Sequence, residues 1–198
     1  VAALGIYPLD AICNAIGPHN WAHDFEPPTR FDVDAEIDWI AEHAHEAVAI
    51  GECGLDQHWV KDQAAEQERV LRRLCEVAIR ADKPMILHSR RAETRTFEVL
   101  QEMGVERADF HCYCGKLKLA KRIAAAGYFL SIPPVIERAE SFQILARELP
   151  ASQLLTETDC PYMGPDRGER NEPANVVRGI AAMAKARDVT ADEMAQTV

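Results

Sequence analysis

The chain has 198 residues, 47% of them hydrophobic, enough to bury one substantial core and too few for two. A formal charge of −10 excludes a protein that coats duplex DNA by bulk electrostatics, although it leaves room for an enzyme that grips a few phosphates locally. No segment approaches the roughly 18 consecutive apolar residues of a membrane span, and six scattered cysteines without a paired spacing suit reduced thiols in a cytoplasm.

Short apolar runs alternate with helical patterns along the chain. The runs are "VAALGIYP" from Val1, "AVAIGECGLD" from Ala47, "PMILHSR" from Pro84, "ADFHCYCG" from Ala108, "GYFLSIPP" from Gly127 and "LLTETDCPY" from Leu154. In the second run Val48 and Ile50 read as the inside of a strand that ends in a buried acid at Glu52 before the chain turns at Gly54. Between the runs, apolar residues recur at three- and four-residue spacing. Ile37, Ile40, Ala41 and Ala44 form one face, and Val70, Leu71, Leu74, Val77 and Ala78 a second. Phe97, Leu100 and Met103 form a third, Leu117, Ala120, Ile123 and Ala124 a fourth, and Phe142, Leu145 and Leu149 a fifth. Asp34 and Glu36 mark a helix start, "RADKP" and "EMG" mark stops, and "DVTADEMAQTV" reads as a helix that runs to the last residue.

Strands alternating with helices imply βαβ units and a parallel sheet, either an open doubly wound sheet or a closed (β/α)8 barrel. Six strands are visible where a barrel has eight, and both ends of the sequence read as cut. The chain is therefore expected to be one barrel domain, residues 1–198, lacking its N-terminal strands.

Four strand ends carry the same kind of residue: Glu52, His88, His111 and Asp159. In either architecture the C-terminal edge of the strands is where sites are built. Taken singly, each has a structural explanation: a hydrogen-bonded histidine, a helix-capping glutamate, an Asx turn at Asp159. Taken together at equivalent positions they describe a metal-hydrolase site. Glu157 and Asp159, two apart in a strand, are expected on one side. Two histidines and two carboxylates suit Zn, Mn or Fe, and a carboxylate-rich site also takes Mg. Hydrolysis of a phosphoester or amide by a metal-activated water is the natural chemistry.

"GECGLD", "ILHSRRA", "HCYCG" and "LLTETDCPY", in this order and spacing, resemble the TatD-type metal-dependent deoxyribonucleases, a (β/α)8 barrel family of the amidohydrolase-like group. The resemblance runs from "GIYP" to "NEPANVV". It implies a divalent-metal phosphodiesterase, with Mg the expected ion and Mn or Zn as alternatives, two per complete site. The implied substrate is the end of single-stranded or frayed DNA. Carried over to this sequence, Glu52 bridges the metals, His88 and His111 hold one ion, and Asp159 binds the other and orients the attacking water. Glu157 is a neighbouring acid, Asp56 a supporting carboxylate near the metals or a turn residue, and Arg90 and Tyr7 meet substrate phosphate.

The sequence departs from the family in three places. The family's H-x-H pair of the first strand is absent, and "HAH" at His43–His45 lies in a helical run where residues two apart point about 200° apart. Tyr7 stands where the family has histidine, and Cys114 where it has serine; Cys112 and Cys114 read as core thiols. Lys116, Lys118, Lys121 and Arg122 read as a solvated helix face, Arg167 and Arg170 lie in a loop after Asp159, and His19 and His23 in a long loop that could wall the substrate. Two other outcomes remain: hydrolysis of a different ester or amide, and a barrel that binds without turnover.

Overall fold

A computed structural model of the chain describes residues 2–17, 21, 23 and 25–198. It divides into two compact units, Val1–Ala108 and Asp109–Val198.

The first unit carries β1 (Ala3–Leu4), α1 (Val33–His43), β2 (Ala49–Gly54), α2 (Ala64–Ala81), β3 (Met85–His88) and α3 (Glu93–Met103). β2 pairs in parallel with β1 on one side and with β3 on the other. The local chemistry explains the helix limits. Asp32 caps α1 by accepting from the Asp34 and Ala35 amides, with Asp34 and Glu36 in the first turn. α2 stops where Asp82 turns left-handed ahead of Pro84, and α3 stops at left-handed Gly104. Val70, Leu71, Leu74, Val77 and Ala78 are buried, as their spacing predicts, together with Ile37, Ile40 and Ala44. Ala41, expected on the same face, is exposed.

Val48 does not belong to a strand interior: it precedes β2 and is 52% exposed, so its placement inside the strand is corrected. Its amide bonds to the Ala2 carbonyl, which leaves the side chain in solvent. Gly54 does not turn the chain either. β2 runs through it, and a Cβ there would overlap the His88 carbonyl oxygen. Gly51 is similarly placed, where a Cβ would lie 2.5 Å from the Ile86 carbonyl oxygen. The two glycines let β2 lie against the β3 backbone while its register shifts between Ile50 and Cys53. That irregularity re-aims the intervening Glu52.

The second unit carries β4 (Ala108–Phe110, begun on the last residue of the first), α4 (Leu117–Ala125), β5 (Phe129–Ile132), α5 (Glu140–Glu148) and β6 (Leu154–Thr156). α6 (Val176–Arg187) and α7 (Ala191–Thr197) follow. β5 pairs in parallel with β4 and with β6. Ala120, Ile123, Ala124, Phe142, Leu145 and Leu149 are buried as expected. α6, which the reading of apolar faces passes over, buries Gly179, Met183 and Ala184. Its face is mostly alanine and glycine, a weak hydropathy signal. Thr190 and Glu193 form a capping box that starts α7.

Candidate active-site clusters

In the first unit, His88 at the end of β3 is held at both ring nitrogens. Nε2 lies 2.8 Å from Asp56 Oδ2, and Nδ1 lies 3.0 Å from Glu52 Oε1. Asp56 is wholly buried, and its other oxygen accepts from the His58 and Trp59 amides at 2.8 and 2.9 Å. Gln67, also wholly buried, brackets the Asp56 backbone, accepting from its amide and donating to its carbonyl. A carboxylate fixed so firmly selects the Nε2–H tautomer of a neutral His88 and leaves the Nδ1 lone pair facing Glu52. The Glu52 side chain is 34% exposed, so it sits at a rim rather than in the interior, correcting the expectation of a buried acid.

Burial pulls the His88 pKa down, but the bonds to Asp56 and Glu52 outweigh it and the net shift is upward. Burial pushes Asp56 up, and its bonds from His88 and the Trp59 and His58 amides bring it below the ordinary value. In the absence of a cation the cluster therefore holds a proton on His88 more tightly than a free imidazole does. A divalent ion and a proton compete for the same nitrogen.

In the second unit the same design recurs. His111 Nδ1 lies 2.9 Å from Glu157 Oε2, and Nε2 lies 3.4 Å from Asp159 Oδ1. Glu157 Oε1 accepts from the Cys112 amide and the Ser131 hydroxyl, each at 2.7 Å. Its Oε2 is buried and makes no hydrogen bond among the described residues, despite its nearness to the imidazole. One ligand atom from each of His111, Glu157 and Asp159 falls within 4.8 Å of the others. An unsatisfied carboxylate oxygen beside an imidazole and a second carboxylate is the donor set a divalent cation would complete, so the residues fit the metal that the family implies.

Strand alternation is not what unites Glu157 and Asp159. β6 ends at Thr156, so both lie beyond it, and Asp159 takes a left-handed φ of 51°. Asn171 secures that turn, donating from Nδ2 to the Thr158 and Tyr162 carbonyls. β4 likewise ends before His111, and Cys112 at φ 45° aims its amide at Glu157. Strained backbone at both positions is held by hydrogen bonds to side chains. Cys112 is partly exposed and Cys114 exposed, so they are not the core thiols expected. Contact with Cys114, then burial, keeps the Cys112 thiol protonated.

Behind this cluster Asp109 is half-buried, its Oδ1 buried and unbonded among the described residues, and desolvation pushes its pKa up to about 6, with Ser131 opposing and Glu157 adding to the shift. A carboxyl bound more tightly to its proton in the folded state loses stability as pH rises from the unfolded value toward the folded one. In EDTA, the free energy of unfolding should fall as pH rises from about 4 to 6, by on the order of 3 kcal/mol, read as a falling denaturation midpoint. Asp109→Asn should flatten that fall, and a variant with an unchanged pH profile would refute the assignment.

The remaining sequence candidates fall as follows. Tyr7 packs edge-to-face on His88, with centroids 4.9 Å apart. Arg90 is exposed, with Cζ 5.0 Å from the Trp59 ring centroid. His43 and His45 bond to the Trp39 and Glu42 carbonyls on the surface, away from any cluster described here. Lys116, Lys118, Lys121 and Arg122 are exposed, as are Arg167 and Arg170. His23 donates from Nε2 to the Trp59 carbonyl at 3.0 Å, and His19 lies outside the described residues. Gln67, Ser131, Asp109 and Asn171 were not singled out from sequence. Ser131 and Asp109 carry a usable signal, a polar residue inside an otherwise apolar strand.

Carboxylate-oriented histidines at parallel strand ends define a metal-dependent hydrolase of the α/β-barrel class. The crystal structure of the TatD homologue YJJV from Escherichia coli K12 superposes with a TM-score of 0.81 at 29% identity, covering 99% of this chain and 72% of that one. The chain belongs to the TatD-related DNase family, whose model matches residues 1–198. It is 33% identical over 195 residues to the human deoxyribonuclease TATDN3, spanning 96% of this chain and 68% of that protein. It is 35% identical to the uncharacterized metal-dependent hydrolase YabD of Bacillus subtilis, spanning 94% of this chain and 74% of the relative. The fold class expected from sequence, the (β/α)8 barrel type with six strands contributed here, is the one found. No helix among the described residues is long and apolar enough to cross a membrane.

Proposed function

We propose that this chain is a divalent-metal-dependent deoxyribonuclease that releases nucleotides from the ends of single-stranded or frayed DNA. The observation that carries the proposal is the repeated carboxylate–histidine arrangement, Asp56 on His88 and Glu157 on His111, each with a further carboxylate at the opposite ring nitrogen. Glu52 and His88 in the first unit and His111 and Asp159 in the second are the residues that would hold metal, and Mg is the expected ion, with Mn or Zn as alternatives and two ions in a complete site. Bound there, the metal would supply a water acidified to near-neutral pKa and charge neutralisation at phosphorus.

Within the chain, Asp56 holds the His88 imidazole in its tautomer, and Glu157 sets a carboxylate oxygen 2.9 Å from His111 Nδ1. Asp159, a third exposed, reaches the solvent side where it can orient and deprotonate water. Arg90 and Tyr7 are the proposed phosphate contacts, the guanidinium by paired hydrogen bonds and the phenol by one. Six cysteines without a disulfide suit a reducing compartment, and the cytoplasm is the proposed location.

The test is release of acid-soluble nucleotides from single-stranded DNA in Mg2+, with an EDTA control and His111→Ala. Release that disappears in both supports the proposal. Folded protein that binds metal and releases nothing would point to another ester or amide substrate, or to a barrel without turnover.

A further inference from the structure

Arginines on the helices of the first unit are occupied by acids. Arg69 and Arg73 pair with Asp34, Arg73 also with Asp38, and Arg72 and Arg95 with Glu68 and Glu102. Arg90 and Arg91, in the loop after β3, form no ion pair among the described residues. Instead the Arg90 guanidinium lies 5.0 Å from the centroid of the half-buried Trp59 ring. In a protein of net charge −10 this is a local positive spot on an aromatic surface. The positive charge reaches further: desolvation first, then Arg90 and Arg91, hold the His58 pKa below its usual value.

The Trp59 ring is also tied to the site. One oxygen of Asp56 accepts the Trp59 amide and the other holds His88, so a single buried carboxylate sets the position of both. Tyr7 gives a second link, packing with Trp59 and Trp21 against the cluster of Leu9, Ile12, Ile16 and Val60 while its ring meets His88. Phe25, 42% exposed, lies 5.1 Å from Trp59 between ring centroids and extends the aromatic surface.

We propose that Trp59 and the Arg90 guanidinium lying over its ring together form a stacking platform for a nucleobase adjacent to the phosphodiester that is cut. The proposal rests on the DNA reading and names what that reading leaves open, how a single strand is preferred. Aromatic rings flanked by guanidinium groups bind unpaired bases without regard to sequence, because every base has a π face. In a duplex those faces are stacked on their neighbours and cannot reach Trp59 without fraying. Arg90 then serves the phosphate that follows the stacked base.

The test compares kcat/KM for a single-stranded oligonucleotide with that for a tetrahydrofuran oligomer of equal length, which keeps the phosphates and lacks the bases. Trp59→Ala should lower the first by about 5- to 150-fold, the value of one stacked base, and the second far less. Trp59→Leu, which keeps much of the packing volume, should show the same selectivity. Equal losses on both substrates would reveal a merely structural tryptophan and overturn the proposal, as would wild-type protein that hydrolyses both oligomers equally well. If the wild type cuts neither, fluorescence-anisotropy binding in EDTA decides separately. Preference for the base-bearing strand that disappears in both variants keeps the platform and rejects the nuclease, whereas no preference rejects the platform too.

Discussion

Asp159→Asn should lower DNA hydrolysis by about 10²- to 10⁴-fold while leaving the fold intact, the range expected when a positioned acid–base group is removed. Asparagine keeps the volume and one oxygen, so the left-handed turn secured by Asn171 survives. What disappears is the negative charge facing His111 Nε2 and the capacity to take a proton from water. Glu157→Gln should behave differently. Glu157 accepts from Cys112 and Ser131 through one oxygen and turns the other to His111 and the candidate metal cluster, so it acts on the metal end of the site and not on substrate. Removing a carboxylate of this kind costs about 10- to 100-fold in metal affinity or activity. Raising the metal concentration should therefore restore much of the Glu157→Gln activity, but for Asp159→Asn only the part lost through weaker metal binding, because the acid–base function does not return. Titration of each variant with Mn2+ during turnover reads the distinction, and full rescue of Asp159→Asn at saturating metal would remove the acid–base role.

The strands, their order and most of the buried helix faces were legible because burial enforces periodicity. Val70, Leu71, Leu74, Val77 and Ala78 cannot be arranged on a helix without forming one apolar stripe. The candidate ligands were legible for a related reason: an ionisable side chain at the end of an apolar strand needs a partner or a metal. The supporting residues were not. Asp56 looked as much a turn residue as a site residue, and only the fold shows it wholly buried between His88 and two amides. Gln67 sits among the buried residues of α2 because the Asp56 backbone needs a donor and an acceptor there, a requirement set by another segment of chain. Cys112 and Asp159 reach their positions through left-handed backbone beyond the strand ends, where the two-residue alternation used to place Glu157 with Asp159 no longer applies.

Gly54→Ala should destabilise the protein by about 3 kcal/mol or more, among the largest effects of any single methyl group here. Two causes add. Gly54 has φ 145°, a conformation L residues avoid, and its Cβ would overlap the carbonyl oxygen of His88, which is backbone and cannot swing aside. The Leu55 amide bonds to that same carbonyl at 3.1 Å, so the overlap is relieved only by parting β2 from β3. That movement separates Glu52 from His88, and metal affinity should fall together with stability. Gly104→Ala separates the causes. Gly104 is also left-handed, at φ 73°, but nothing lies within 4 Å of the added carbon. Its substitution should cost only the backbone term, about 1 kcal/mol, and leave metal binding unaltered. Urea midpoints and Mn2+ titrations of the two variants measure both quantities. Equal destabilisation would mean that close approach of β2 to the His88 backbone is not what requires glycine at the end of the strand that carries Glu52.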